Sequence, residues 1–250
     1  NVQLTWMDAK VGDWVVTPRH GKPVEINALY HHALRVAQGL ATRFRETDFE
    51  SLAGSRADGV EGLFEATYRN EETGCLYDLV GHEGNDGAIR PNQVLAISVS
   101  GNLVSEARRK QALAVVEHEL LTPRGLRSLS PSHPEYRGTY GGDQHSRDSA
   151  YHQGTVWGWL IGPFITAYVS AQRESDSARE AAAGILEPFQ AHLHEAGLGQ
   201  ISEIFDGEAP HHARGCFAQA WSVAEVLRSY VEDVLGDKPE PWLAPIRTTR

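Results

Sequence analysis

An all-α fold is predicted for this chain by three features of its sequence. Apolar residues recur at spacings of three and four over most of its length, the period of a helix with one buried face. No run shows the sustained alternation of a half-buried strand. The helical stretches are separated by long polar segments that gather aromatics, carboxylates and amides. Structureless stretches of about twenty residues inside a compact domain are usually functional. Helices therefore read as a frame, and the loops at one end of it as the site.

The elements follow in order. Pro23 suits a first helical turn, where its missing N–H costs nothing. Behind it, Ile26, Leu29, Tyr30, Ala33, Val36, Ala37 and Leu40 predict a helix over 24–44. A second is predicted over 48–68, with Phe49, Leu52, Val60, Leu63, Phe64 and Tyr68 as core positions and Gly54, Gly59 and Gly62 as weak points. After a polar loop over 70–90 come a short helix over 91–99 and a stronger one over 105–121, capped by Ser105 and packed through Ala112, Leu113, Val115, Val116 and Leu120. A further loop over 122–151 precedes helices over 154–173, 176–195 and 216–235. The tail, 236–250, holds Pro239, Pro241 and Pro245 and reads as irregular. About seven helices result.

Composition narrows the function. With 250 residues, 41% of them hydrophobic, the chain has material for a real core. A net charge of −10 lacks the basic face that nucleic acid requires. The best apolar run, 156–169, is short and broken by Gly158, Gly162 and Pro163, so no membrane span is expected. Two distant cysteines, Cys75 and Cys216, fit a reducing compartment and a cytoplasmic location better than a disulfide scaffold. No signal peptide is visible, and the chain opens on Asn in the middle of a motif, so further sequence is expected upstream.

Four loop segments combine aromatic rings with hydrogen-bonding side chains: Thr5 to Lys10, Ile89 to Gln93, Tyr151 to Trp157, and Ile201 to Gly207 followed by Gln219 to Ser222. Such a mixture fits a sugar, whose CH faces stack on rings and whose hydroxyls need amide and carboxylate partners. Hydrolysis of a glycosidic bond needs one carboxyl as proton donor and another as base or nucleophile. Asp8 and either Glu203 or Asp206 would meet across a closed ring of helices. Each piece also has a plain structural reading. Trp6, Trp157 and Trp221 serve equally as core anchors, Asp8 as a cap or a partner of Lys10, and Arg90 as a loop clamp to Asp78 or Asp86. Glu203 suits a surface position, and Asp206-Gly207 is a good turn dipeptide. The histidines match neither His-Glu-x-x-His nor any other metal spacing, and the glycines match neither Walker nor Rossmann patterns, so no metal or other cofactor is expected. The nucleophile-elbow pattern Gly-x-Ser-x-Gly is absent.

Taken together, five motifs in order carry a resemblance. Thr5-Trp6-Met7-Asp8-Ala9-Lys10, Thr17 to Ile26, Ile89-Arg90-Pro91-Asn92-Gln93, Tyr151-His152-Gln153-Gly154 and Gln219-Ala220-Trp221-Ser222 closely resemble the C-terminal glucosidase domain of glycogen debranching enzymes, the amylo-α-1,6-glucosidase family. The likeness covers roughly residues 3–235, read as one partial catalytic domain over 1–235. It implies an (α/α)6 barrel, of which this chain holds about helices six to twelve, with the N-terminal half of the barrel missing. It also implies an inverting hydrolase that removes α-1,6-linked glucose at branch points of glycogen or a related α-glucan. Asp8, in the loop after the fifth helix, would be the general acid, with burial beside Trp6 and Met7 expected to hold its proton. Glu203, or as second choice Asp206, would be the base, about 6.5–9.5 Å away to admit a water. The stretch Gly215 to Ala218 lacks the acid that some relatives carry there. Trp6, Lys10, Glu25, Arg90, Asn92, His152, Gln153, Trp157, Gln219 and Trp221 are the expected substrate ligands, with Lys10 holding Glu25 or a hydroxyl. The alternatives are an inverting enzyme of the same fold on another small α-glucoside, and a non-catalytic carbohydrate-binding module.

Overall fold

The computed structural model describes residues 3–239. The chain opens on a small hairpin, β1 (Lys10–Val11) with β2 (Trp14–Val15), in the register Lys10↔Val15. After β3 (Lys22–Pro23), α1 runs Val24–Phe44, with Pro23 as its extended N-cap. Arg45, left-handed at φ 61°, turns the chain into α2 (Thr47–Tyr68). The long polar segment that follows is not bare loop. It holds β4 (Leu79–Gly81) and β5 (Gly84–Asp86), which pair with each other, β4 also pairing with β3.

Next come α3 (Asn92–Val99) and α4 (Glu106–Glu119). Ser105 precedes α4 but makes no side-chain cap; its hydroxyl donates instead to Glu65 at 2.9 Å. The expected loop over 122–151 contains β6 (Leu121–Thr122), β7 (Gly125–Arg127) and a short helix, α5 (Gln144–Ala150), capped by Asp143 on the Ser146 N–H at 2.8 Å. The helix expected from residue 154 starts later. Val156–Trp157 is a strand, β8, and a 3-10 turn over Gly158–Leu160 leads into α6 (Ile161–Ala171). Pairing on both edges of β8, Leu126↔Trp157 and Trp157↔Ile204, overrides the helical period there. Pro188 divides the next expected helix into α7 (Asp176–Leu186) and α8 (Pro188–His192). Last are β9 (Ile204–Phe205), β10 (Ala213–Arg214) and α9 (Ala220–Ser229), which ends in a π-helical turn over Tyr230–Val234.

Among the described residues, α1, α3, α6 and α9 lie side by side in that order. The helices α2, α4 and α7 pack behind them, each against the helix it follows. Phe164, Ile161 and Leu160 of the α6 region meet Val94, Ile97, Val116, Leu120 and Ile204 in the main core. Strands β6 to β10 form one antiparallel sheet in sequence order at one end of the helices. Each strand spans only two or three residues, too short to print an alternating pattern, which is why the sequence reads as all-α.

Two expected core faces turn outward in part, although Phe64 and Tyr68 of α2 are buried as expected and Val60 packs beside them. Ile26, Leu29 and Tyr30 of α1 are 41–47% exposed, and Phe49, Leu52 and Leu63 of α2 are 47–68% exposed, whereas Glu25 and His31 are buried. Of the tail, Lys238 pairs with Glu174 at 2.6 Å. Residues 240–250, with Pro241 and Pro245, lie outside the described residues.

Candidate active site

The segment around Asp8 alternates as a strand does: Met7 and Ala9 are buried, while Asp8 and Lys10 are exposed. Bonds on both sides pin it. The Trp6 indole donates to Asn92 Oδ1 at 2.7 Å, the Ala9 N–H donates to His152 Nδ1 at 3.4 Å, and the Val16 N–H to the Ala9 carbonyl at 3.1 Å. Arg90 and Asn92 also approach the Met7 sulfur, at 3.9 and 3.6 Å. Asp8 thus projects from a rigid turn. The expected burial of its carboxyl is corrected: its neighbours are enclosed and it is not.

Behind this turn runs a chain of polar side chains. Arg19 binds both oxygens of Glu25 and also reaches Asp78 Oδ2 at 2.8 Å; Asp78 Oδ1 accepts from Asn92 at 2.7 Å, and Asn92 holds the Trp6 indole. Although burial opposes it, the carboxylates of Asp78 and Glu25 push the Arg19 guanidinium above its ordinary range. Glu25 is 1% exposed and committed to Arg19, so the expected Lys10–Glu25 pair is not formed. Arg90 is 4% exposed and lowered by burial; it ties Ser128 and His152 carbonyls, at 3.1 and 2.8 Å, to Gln153 Oε1 at 2.6 Å. Neither Asp78 nor Asp86 bonds it, contrary to the clamp considered from sequence; backbone carbonyls do the clamping. Glu25, Arg90, Asn92 and Gln153 hold the frame of the site, and none presents a free face in this structure.

Trp6 lies at the centre of an aromatic cluster. It meets His152, Trp157 and Trp159 edge-on at 5.3, 5.3 and 5.4 Å. Trp159 in turn stacks on Trp221 at 5.2 Å. Trp157 is 2% exposed, whereas Trp221 is 39% exposed and offers an accessible ring. Gln219 caps α9 through its own side chain, on the Ala220 N–H at 3.1 Å.

The two acids proposed as base differ sharply. Asp206 is 5% exposed; its Oδ1 accepts the Tyr140 N–H at 2.9 Å and its Oδ2 takes two bonds from Arg214, at 3.0 and 2.8 Å. It closes the β9–β10 hairpin, with three donors on its two oxygens and the Arg214 charge against it. Glu203, just before β9, is half-buried, with Oε2 accepting the Cys216 N–H at 2.8 Å and Oε1 accepting the Tyr151 hydroxyl. The Tyr151 phenol is pushed well above its ordinary value by burial first, then by the bond to Glu203 and its charge, and by the charges of Tyr140 and Asp8. Sequence reasoning did not select Tyr151 or Trp159. Their signals were present, Tyr151 opening the Tyr-His-Gln-Gly motif and Trp159 repeating Trp157 two residues on.

Residues 1–228 match the family described as Amylo-alpha-1,6-glucosidase. The chain is 31% identical over 205 residues to the glycogen debranching enzyme of Saccharomyces cerevisiae, a stretch that is 66% of this chain and 13% of that protein. Among solved structures, a sialidase superposes with a TM-score of 0.68 at 15% identity, over 87% of this chain and 20% of its own. The family 63 mannosylglycerate hydrolase of Thermus thermophilus does so at 0.60 and 17%, over 83% of this chain and 45% of its own. At these identities the structural likeness speaks for the fold. With its ordered motifs, its inner and outer helices and its matched residues, the chain belongs to the amylo-alpha-1,6-glucosidase family of glycoside hydrolases and forms part of an (α/α)6 barrel.

Proposed function

We propose that this chain carries the catalytic machinery of an inverting hydrolase that releases α-1,6-linked glucose from the branch points of glycogen or a related α-glucan. Asp8 gives its proton to the glycosidic oxygen as the bond to the anomeric carbon breaks. Glu203 takes a proton from a water that attacks the same carbon from the opposite face. Glucose leaves with inverted configuration, Asp8 ends ionised and Glu203 ends protonated, and solvent resets both. The observation that carries this reading is the contrast between two carboxyls, Asp8 exposed on a pinned turn and Glu203 held by single donors on each oxygen, from Tyr151 and the Cys216 N–H. Glu203 is favoured over Asp206 because Asp206 is neutralised by Arg214 and closed by Tyr140. Trp221, Trp6 and Trp159 line the glucose position, and Lys10 and Gln219 stand at its rim. The rest of the ring, which would enclose Asp8, comes from chain outside these residues.

The test is glucose release by the intact protein from a debranching limit dextrin, with the anomer followed by proton NMR. β-Glucose is expected first, and Asp8→Asn is expected to lower turnover by at least ~10²-fold while dextrin binding is kept. Release of α-glucose first, or an Asp8→Asn protein with full turnover, refutes the reading. Activity confined to short α-glucosides points to the alternative substrate. Binding without any turnover points to a carbohydrate-binding module.

A further inference from the structure

We infer that Tyr151 is a positioning residue for Glu203: its hydroxyl, with the Cys216 N–H, fixes the plane of the carboxylate that activates water. The inference rests on the hydrolase reading above. Three χ angles separate the Glu203 carboxylate from its backbone, and a half-buried glutamate with that freedom spreads over several rotamers. Here each oxygen is held by a different donor, Oε1 by Tyr151 and Oε2 by Cys216 at 2.8 Å. Donors on both oxygens set the rotation about the last bond and leave a lone pair on each for a water.

Tyr151 is itself held fast. Its ring packs on His152 and Trp157 at 4.8 Å each and on Tyr140 at 5.6 Å. Its carbonyl accepts from the Trp157 indole at 3.0 Å and from the Thr155 hydroxyl at 2.6 Å. Burial and the adjacent carboxylates keep the phenol protonated through the range in which a glycosidase works, so it acts only as a donor toward Glu203. The hydroxyl therefore couples the loop that carries the base to the aromatic cluster that supports the acid-bearing turn.

The inference is tested with Tyr151→Phe in the intact protein, which keeps the ring and removes the donor. The kcat for glucose release is expected to fall ~10- to 100-fold with KM within about twofold, as for a misaligned reacting group. If the wild type is active and Tyr151→Phe matches it in kcat, the inference fails alone. A fall in kcat accompanied by a severalfold change in KM and a lower melting temperature marks a purely structural tyrosine and also overturns it. If the wild type releases no glucose, the hydrolase reading fails and takes the inference with it.

Discussion

His152 is fully buried, and its Nδ1 accepts the Ala9 N–H, so its proton sits on Nε2, which has no partner among the described residues. Burial, and then the charge of Arg90, push its pKa down to about 3. In the unfolded chain a histidine titrates near ~6.5. Below about pH 6.5 the unfolded state therefore binds a proton that the folded state refuses, and stability falls with pH until about pH 3. At pH 5 this costs about 2 kcal/mol. His152→Asn, which keeps an acceptor for Ala9 and removes the titration, is expected to shrink the difference in urea stability between pH 7 and pH 5 by about that amount. An unchanged difference would mean that His152 is not the buried neutral group described. The same residue shows why a polar motif can be misread as a row of ligands: His152, Gln153 and Arg90 spend their hydrogen bonds on one another and on the turn that carries Asp8.

At the scale of elements, two close approaches decide where helices begin and what they hold. Gly162, near the start of α6, lets α9 come so near that a Cβ there would stand 2.9 Å from the Glu225 carbonyl oxygen. Gly215 lies between β10 and α9 at φ 64°, and a Cβ there would overlap Glu203 Oε2. The helix expected from residue 216 instead starts at Ala220, and Cys216 pairs through its own N–H and carbonyl with Glu203, at 2.8 Å each. Gly215→Ala is expected to displace the carboxylate and cut glucose release by ~10-fold or more. Its cost in stability, from the left-handed backbone, is about 1 kcal/mol. Kinetics and a melting curve on the same sample check this, and full activity would show that this pairing is not needed.

At the scale of the whole molecule, α1, α3, α6 and α9 make an arc with two open ends. α1 shows Ile26, Leu29 and Tyr30 at one end; α9 shows Leu227, 61% exposed, and the turn after it Tyr230, 45% exposed, at the other. Beside α9, a groove of about 330 Å³ is lined by Leu186, Phe189, Leu193 and Val226. Apolar surface on this scale promotes association, and ring closure by neighbouring chain would cover it. The double change Leu29→Lys and Leu227→Lys is expected to improve the solubility of residues 1–250 expressed alone. In the intact protein it is expected to cost about 1.5–3 kcal/mol at each position, the worth of a buried leucine. Sedimentation of the one and thermal unfolding of the other check the pair of outcomes. A sharp, high melting transition of the isolated stretch would show that the arc needs no closure.

What the sequence determined by itself is the frame and the family. Helix periodicity is local, written in residues three and four apart, so α1 appears at its observed bounds and α4 within two residues of its expected ends. Five motifs in order sufficed for the resemblance. Tertiary structure decided which polar groups are free. Asp206 meets Arg214 across a hairpin, Glu25 meets Arg19 in the core, and Glu203 meets Tyr151 from 52 residues away. Such partners are chosen by pairing of two-residue strands and by burial, both of which depend on segments far apart in the chain. An acid's availability for chemistry is a property of its partners, and those exist only once the fold has brought them together.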